Sequence, residues 1–476
     1  MASFSEYTQY DALGLAALIK AKQVSPDEVL KAAIERIDKL NPQYNAVVNT
    51  CYDLAREAIQ AGLPNGPLHG VPFLLKDIGA TCKGLPITAG SRFIGKITPD
   101  SDWAYTARLK QAGALILGTT NTCEFGIGVT TEPQSNGTTY NPWNAKRTPG
   151  GSSGGSAVAV ATGMSPAAYG GDAFGSIRSP ASCCGVVGLK PSRGLNSHGP
   201  DVGELMSGIV VIGTLTRSVR DQAALLDITS GFCPGDAYPQ AQQTLQVLSF
   251  SETIQQAPKP LHIALCADLG NGTQVDKSCI TAIEKAAKLC ENLGHQVEIA
   301  SPKLDLALVQ QTFRTFVCAD TYAALLEHPI TGKAAEQHEV EKITWATAKI
   351  GEKISAADLI QAANARHAIT RTLEVFHQQY DVVITPTLAS APVNLGWLDM
   401  MMEDVDTYWK RTSEFAPFCV PFNHSGQPAM SLPMYQDKDG LPIGVQLSSG
   451  IGKDALLLQL SQQLEQAQAW QHPHTT

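Results

Sequence analysis

The sequence lacks the features of several large classes of protein. It has no run of about 18 apolar residues, so no membrane-spanning helix is predicted. The segment from Met1 to Gln9 lacks the basic and apolar character of a secretory signal. The 35 basic residues are outnumbered by 44 acidic ones, which gives a formal net charge of −9. A nucleic-acid partner is therefore not expected, and neither is a membrane partner.

The cysteines and histidines are also too scattered to suggest a metal site. Of the 11 cysteines, only Cys183 and Cys184 are close together, and no C-x-x-C pair occurs. The histidines show no spacing typical of metal ligands. We therefore predict no metal, no cofactor and no disulfide framework. The reducing cytoplasm is the simplest compartment, a small molecule is the expected partner, and the sequence leaves a homodimer open.

The composition is that of a globular protein with a large core, since 43% of its 476 residues are hydrophobic and 17% are charged. Length alone does not decide between one domain and two. Pro260 to Cys266 is a predicted strand, Ser278 to Leu293 a helix and Gln296 to Ile299 another strand. This order is typical of α/β architecture. Tyr380 to Pro386 is a further buried strand in the prediction.

The first part of the chain predicts a helical hairpin. Its helices are expected at Asp11 to Lys20 and at Ser25 to Leu40. In the second helix Ser25 is the predicted N-cap, Pro26 occupies the first turn, and Glu28 completes a capping box. We expect this hairpin to be scaffold.

Glycine and serine concentrate in a stretch from Arg147 to Arg193. It contains two glycine-flanked serines, Ser152 and Ser176, and a run of small residues from Ala157 to Gly163 that predicts a closely packed helix. A flexible linker is disfavoured, because the segments around the glycines are apolar, and such glycines indicate sharp turns or close backbone approach. The Gly-Gly-Ser-Ser-Gly motif also matches the nucleophile elbow of serine hydrolases. A P-loop is set aside, because its Gly-Lys-Ser/Thr ending is absent.

Three motifs in this order resemble the amidase signature family: GGSSGGSA, DAFGSIRSPAS and CGVVGLKP. The likeness extends from about Ser25 to Trp470. It implies an α/β fold, with residues 1–476 as a single large domain and a mixed central β-sheet with helices on both faces. The hairpin would span about 11–40, the signature core about 65–220 and the remainder about 221–476. Within the family, the segments TTEP, NPWN and VPFNHSGQPAMSLP are most similar to bacterial amidases of the 6-aminohexanoate cyclic dimer hydrolase type.

The resemblance implies three catalytic residues. Ser176 would be the nucleophile, Ser152 a bridging serine preceded by a cis peptide bond, and Lys76 the terminal base. A serine hydroxyl is a weak nucleophile until a base takes its proton. Lysine can be that base only when burial or nearby positive charge lowers its pKa from about 10.4. The apolar residues before Lys76 fit such burial, and Ser152 would relay the proton in both directions.

The resemblance also implies an oxyanion hole made of backbone N–H groups. These belong to Ala173, Phe174, Gly175 and Ser176. The family usually has glycine where this chain has Phe174, so we expect a negative φ there and a ring that points away from the loop or into the substrate pocket. Structural roles near the site are predicted for Ser153, Asp172 and Arg178, the last two as a pair.

Several other residues are candidate substrate contacts, each with a structural role as the competing interpretation. They are Thr131, Gln134, Phe174, Cys318 and Trp397. For Cys318, a place in the core is favoured over substrate contact.

The predicted function is hydrolysis of a small carboxylic amide, linear or cyclic, through an acyl-enzyme on Ser176. An A-type subunit of glutamyl-tRNA amidotransferase would share the serines and the lysine. However, the segment from Gly208 to Thr214 differs from the S-S-L-D-Q-I-G-P of those subunits. A binding protein impaired by Phe174 is the third hypothesis, and the intact catalytic positions disfavour it.

Overall fold

An 11-stranded mixed β-sheet runs through the protein. The structure is a computed structural model that describes residues 4–238, 249–269 and 274–472. In chain order the strands are β1 (Val47–Thr50), β2 (Pro72–Lys76), β3 (Leu115–Thr120), β4 (Ala167–Asp172), β5 (Val187–Lys190), β6 (Val211–Thr216), β7 (His262–Leu265), β8 (Gln296–Ile299), β9 (Val382–Pro386), β10 (Ala429–Gln436) and β11 (Pro442–Ser448). Their spatial order is β1-β3-β2-β4-β6-β5-β10-β11-β9-β7-β8.

The sheet combines parallel and antiparallel pairs. β2 is parallel to both β3 and β4, and β7 is parallel to both β8 and β9. The strands between these two groups pair antiparallel. Because parallel strands end at the same edge of a sheet, the chain leaves β2 and β4 on the same side.

Helices cover both faces of the sheet, which confirms the predicted α/β class. In the described residues they are α1 (Ala12–Lys20), α2 (Pro26–Tyr44), α3 (Tyr52–Ala61), α4 (Ala104–Gln111), α5 (Gly154–Ala161), α6 (Arg178–Cys184), α7 (Val219–Thr229), α8 (Phe250–Thr253), α9 (Lys277–Asn292), α10 (Leu306–Leu326), α11 (Lys342–Gly351), α12 (Ala356–Phe376), α13 (Val405–Phe415), α14 (Val420–Ser425) and α15 (Asp454–Ala467). Within the described ranges, each helix is too short or too polar to cross a lipid bilayer.

The predicted helical hairpin is confirmed, with its caps. Asp11 caps α1 and accepts a hydrogen bond from the Gly14 N–H at 3.0 Å. At the start of α2, Ser25 Oγ accepts from the Glu28 N–H at 3.2 Å, and Glu28 Oε2 accepts from the Ser25 N–H at 2.8 Å. These two bonds form the predicted capping box, so the local sequence alone determines where α2 begins.

The predicted end of α2 was wrong, because the helix continues past Leu40 to Tyr44 and includes Pro42. The Asn41 side chain accepts hydrogen bonds at 2.8 Å from two backbone N–H groups on the way into β1. Asn45 then ends the helix in the left-handed region, with φ of 48°. These bonds to the following segment outweigh the helix-breaking tendency of Asn41 and Pro42.

The helix α5 is built from small residues, as predicted, although it begins at Gly154 and ends at Ala161. Each of its residues is buried. A Cβ atom added at Gly155 would lie 2.4 Å from the Asn121 nitrogen and 2.6 Å from the Ala46 oxygen. Both are backbone atoms, so only glycine allows α5 to lie this close to its neighbours.

We predict that Gly155→Ala destabilises the protein, although alanine normally favours a helix over glycine by up to about 1 kcal/mol. The added methyl group must push two backbone segments apart, and such overpacking costs about 1–3 kcal/mol. Urea denaturation would measure the change in the free energy of unfolding. Gly203→Ala is the control, because the nearest atom to a Cβ there is 3.5 Å away. Equal stability of the two variants would contradict the prediction.

Candidate active site

Three segments of the chain meet where β2 and β4 end. Lys76 is the last residue of β2, and Ser176 follows β4 in the loop that leads to α6. Ser152 lies just before α5. The parallel pairing of β2 with β4, through Leu74 and Ala168, places both loops at one edge of the sheet. The fold therefore brings together the lysine and the two serines that the sequence predicted.

Lys76 is nearly inaccessible to solvent, with 3% of its surface exposed. Its Nζ donates a hydrogen bond to Ser152 Oγ at 2.6 Å. Burial lowers the pKa of Lys76 to about 8, while Cys123 and Asp172 act in the opposite direction. A lysine with this pKa is partly neutral at physiological pH, so its amine can accept a proton.

The loop that carries Ser152 is held tightly against the segment from Thr130 to Thr131. The peptide bond between Gly151 and Ser152 is cis, as the family resemblance implied. A Cβ atom added at Gly151 would lie 2.2 Å from the Thr130 oxygen. Thr131 Oγ1 donates to the Gly150 oxygen at 2.8 Å. Thr131 therefore supports this loop, and its predicted contact with substrate stays a prediction.

Ser176 is buried, and its hydroxyl has no hydrogen-bond partner among the described residues. Its backbone oxygen accepts a hydrogen bond from the Ser153 N–H at 3.2 Å, which fits the structural role predicted for Ser153. Within the described residues, the Ser176 hydroxyl forms no hydrogen bond with Ser152. The link from Lys76 to Ser152 is thus formed, and the link to Ser176 is open. Rotation about one side-chain torsion redirects the hydroxyl.

Asp172 and Arg178 form a buried ion pair on either side of Ser176, as predicted. Arg178 Nε and Nη2 donate to the two carboxylate oxygens, each at 2.9 Å. The same guanidinium donates to Gln446 Oε1 at 2.8 Å and to Asn423 Oδ1 at 2.6 Å. Burial acts to raise the pKa of Asp172, but the charge and hydrogen bonds of Arg178 hold that pKa well below its usual range.

The Asp172 carboxylate also binds the backbone of the predicted oxyanion loop. It accepts from the Gly175 N–H at 2.7 Å and from the Ile177 N–H at 3.2 Å. The Gly175 N–H is therefore engaged with a carboxylate, which corrects its assignment as an oxyanion donor. In the described part of the chain, the other three predicted N–H groups bond to no acceptor. They belong to Ala173, Phe174 and Ser176.

Phe174 points away from the loop into an aromatic cluster. Its backbone avoids positive φ, as expected for a residue with a Cβ atom. The ring packs 4.7 Å from the Phe313 ring and 6.3 Å from the Trp409 ring, measured between centroids. The substitution of glycine by phenylalanine thus leaves the backbone donors in place and adds a buried anchor for the loop.

The remaining predicted pocket residues occupy three different environments. Cys318 is fully buried on α10, in the apolar cluster that contains Phe174, which fits its predicted place in the core. Trp397 is partly buried and packs against the same cluster. Gln134 is exposed, and its N–H donates to Glu341 Oε1 at 2.6 Å. The contacts of these side chains with substrate stay predictions.

Sequence reasoning missed residues that approach the site closely. A Cβ atom added at Gly126 would lie 3.2 Å from Ser152 Oγ, and one at Gly128 would lie 2.7 Å from the Tyr408 hydroxyl. Two glycines in a segment after a buried strand are a signal that could have been used. Tyr408 lies on α13, far along the chain, and nothing in its local sequence marks it.

Comparison with known proteins follows this geometry. The amidase family model matches residues 28–458. The 6-aminohexanoate-cyclic-dimer hydrolase of Paenarthrobacter ureafaciens is 36% identical, with 97% of this chain and 95% of the relative covered. The acylamidase of Rhodococcus erythropolis is 32% identical, with 96% and 95% covered. A solved structure of 6-aminohexanoate cyclic dimer hydrolase superposes with a TM-score of 0.92 at 34% identity, over 98% of this chain and 99% of the other.

We predict that Arg178→Met lowers the free energy of unfolding by about 3–5 kcal/mol, because it leaves the Asp172 carboxylate buried without its partner. Urea denaturation measures the loss. Arg56→Met is the matched control, since Arg56 forms an ion pair of 2.7 Å with Asp53 on the surface. That change is expected to cost no more than about 1 kcal/mol. Equal losses in the two variants would show that the buried pair does not organise the loop.

Proposed function

Because the chain belongs to the amidase signature family and is an amide hydrolase, we propose that it cleaves a small carboxylic amide through an acyl-enzyme on Ser176. The observation that carries this proposal is the 2.6 Å hydrogen bond between Lys76 and Ser152, next to the buried, unpartnered hydroxyl of Ser176. A lysine of lowered pKa, a bridging hydroxyl and a free hydroxyl are what a serine nucleophile needs for activation.

In the first step the proton moves away from the nucleophile. Neutral Lys76 takes the proton of Ser152, and Ser152 takes that of Ser176. The Ser176 oxygen then attacks the carbonyl carbon of the amide, and the carbonyl oxygen becomes negatively charged. The N–H groups of Ala173, Phe174 and Ser176 are the donors for this oxyanion.

In the second step the carbon–nitrogen bond breaks. The proton held by Lys76 returns through Ser152 to the departing nitrogen, which leaves as an amine or as ammonia. Water then attacks the ester on Ser176, with the same relay acting as the base, and the acid is released. Each group acts once as a base and once as an acid, so the site is ready for the next cycle.

The relatives support hydrolysis over the two alternative functions. The relatives named above are a cyclic dimer hydrolase and an acylamidase, so both linear and cyclic amides fall within the proposed substrate class. The free backbone donors around Phe174 disfavour an impaired binding protein. The alternative of a glutamyl-tRNA amidotransferase subunit has no support from these names.

We further propose that the enzyme acts in the cytoplasm on a small molecule, with no nucleic-acid or membrane partner. The 11 cysteines are all free thiols, which fits a reducing compartment. The negative net charge of −9 fits a protein that does not bind polyanions. A homodimer stays a prediction.

A sulfonyl fluoride that reacts with activated serines tests the assignment of the nucleophile. We expect one adduct, which peptide mapping places on Ser176, and no adduct on Ser176→Ala. Ser179→Ala is the matched control, because the Ser179 hydroxyl is also buried and unpartnered among the described residues but is assigned no relay. An adduct on Ser152 or Ser153 would show that the wrong serine had been chosen.

The pH dependence of this labelling tests the base. Since only neutral Lys76 accepts a proton, the rate should rise with pH through a midpoint near about 8. Lys76→Ala should lower the rate by about two orders of magnitude or more, with partial recovery at high pH, where hydroxide replaces the base.

The control for this pH profile is Lys190→Met. Burial lowers the pKa of Lys190 to about 7, but its Nζ donates to the backbone oxygens of Pro191 and Gln427. We therefore expect the midpoint to stay unchanged in that variant. A shifted midpoint in Lys190→Met, or an unchanged rate in Lys76→Ala, would contradict the assignment of Lys76.

A further inference from the structure

Three glutamates lie beside the candidate active site, and we call them the acidic cluster: Glu124, Glu132 and Glu341. Glu124 and Glu341 are each only 1% exposed, and Glu132 is half-buried. Glu341 acts electrostatically on Glu124's neighbour in the cluster set, Cys123, whose thiol in turn is affected by Lys76. The cluster is therefore next to the relay lysine.

The acidic cluster has little compensating positive charge. In the described part of the chain, no lysine, arginine or histidine forms an ion pair with any of the three carboxyl groups. Only Arg92, which is exposed, acts to lower the pKa of Glu124 and Glu341. Buried carboxyl groups are usually paired with a cation, so this cluster lacks a partner of the expected kind.

Two carboxyl oxygens of the cluster are also without hydrogen bonds. Glu341 Oε1 accepts from the Gln134 N–H at 2.6 Å, and Glu132 Oε2 accepts from the Gly396 N–H at 2.8 Å. The second oxygen of each group, Glu341 Oε2 and Glu132 Oε1, is buried and has no partner among the described residues. Glu124 differs, because both of its oxygens accept hydrogen bonds, from Ser91 Oγ and from the Glu341 N–H.

An independent unsatisfied group faces the same place. The hydroxyl of Tyr408 is fully buried and has no hydrogen-bond partner within the described residues. Burial raises the pKa of Tyr408, and Cys123, Glu341 and Glu132 add to the rise. The phenol therefore lies within electrostatic reach of both incomplete carboxyl groups. A hydroxyl oxygen and two carboxyl oxygens offer three acceptors, and an ammonium group has three N–H donors.

The position of these acceptors indicates which part of a substrate they meet. Cβ atoms added at Gly128 would lie 2.7 Å from the Tyr408 hydroxyl and 3.2 Å from Cys123 Sγ. One added at Gly126 would lie 3.2 Å from Ser152 Oγ. One short segment thus borders both the acceptors and Ser152. Ser152 is the group that hands the proton to the departing nitrogen, so the acceptors lie on the leaving-group side.

We propose that Glu132, Glu341 and Tyr408 bind a protonated amine carried by the leaving-group half of the substrate. The substrate class is then a mono-acylated diamine or polyamine, and the inference rests on the amide hydrolysis proposed above. Water adds across the carbon–nitrogen bond of the amide, with no other reactant. The products are a carboxylate and a diamine that is protonated at both nitrogens, so atoms and charge balance.

Two amides of equal length test the preference for positive charge. N-acetylcadaverine carries an ammonium group at the end of its amine half, and N-hexylacetamide carries a methyl group at the same position. We expect kcat/KM to be at least about tenfold higher for the charged amide, since loss of one partner from a buried charge pair has effects of this size or larger. A preference for N-hexylacetamide, or equal rates, would overturn the inference.

Substitution then tests the residues. Glu341→Gln keeps the oxygen that accepts from Gln134 and removes the charge, so kcat/KM for N-acetylcadaverine should fall by about tenfold while that for N-hexylacetamide stays the same. Glu132→Gln should act in the same direction, and it provides a second variant if Glu341→Gln does not fold. An equal fall for both amides would indicate a structural role and overturn the proposal.

Glu465→Gln is the matched control. Burial raises the pKa of Glu465 to about 7, the same value that burial gives Glu132. Its carboxyl group accepts from the Val219 N–H at the start of α7, outside the acidic cluster. We expect no change in the ratio of the two kcat/KM values, and a change there equal to that of Glu341→Gln would contradict a local effect.

A second pair of substrates carries the charge on the other half. ε-Aminocaproamide has the ammonium group in its acyl half, and heptanamide is its neutral match. A charge preference confined to this pair would overturn the leaving-group assignment. Failure to hydrolyse N-acetylcadaverine while Ser176 still reacts with the sulfonyl fluoride would overturn the cation site alone. Loss of both labelling and hydrolysis would instead overturn the proposed function.

Discussion

The buried pairing of Asp172 with Arg178 is the interaction on which the geometry of the site depends. Taking two charges out of water is costly, and the cost is recovered only when the pair is well aligned and its other hydrogen bonds are made. Here the guanidinium also binds Asn423 on α14 and Gln446 on β11. The loop that carries Ser176 is thereby fixed to strands and helices from the second half of the chain.

The same low-dielectric interior has opposite effects on the two ionisable groups that flank the chemistry. Burial without an adjacent carboxylate partner lowers the pKa of Lys76, whereas the charge and hydrogen bonds of Arg178 keep Asp172 ionised despite its burial. A neutral amine and a fixed anion therefore coexist in one site. The amine is suited to proton transfer, and the anion is suited to holding backbone N–H groups in place.

What the sequence could predict was local or carried by motifs. The capping box at Ser25 and Glu28 fixed the start of α2, and the family resemblance brought together Lys76, Ser152 and Ser176. The end of α2 was missed because Asn41 acts through bonds to the next segment. Tyr408 and Glu341 were missed for a related reason: the sheet and the helices around it bring them to the site, and no local pattern records that approach.

The deep burial of the catalytic side chains has a kinetic consequence. Lys76, Ser152 and Ser176 are each at most 3% exposed, so a substrate reaches them only when part of the surrounding wall moves aside. Turnover then includes an opening step, and such steps limit the rate of many enzymes. Between openings the ester on Ser176 is shielded from bulk water. The lifetime of that intermediate is therefore governed by gating of the wall as well as by the reactivity of the bond.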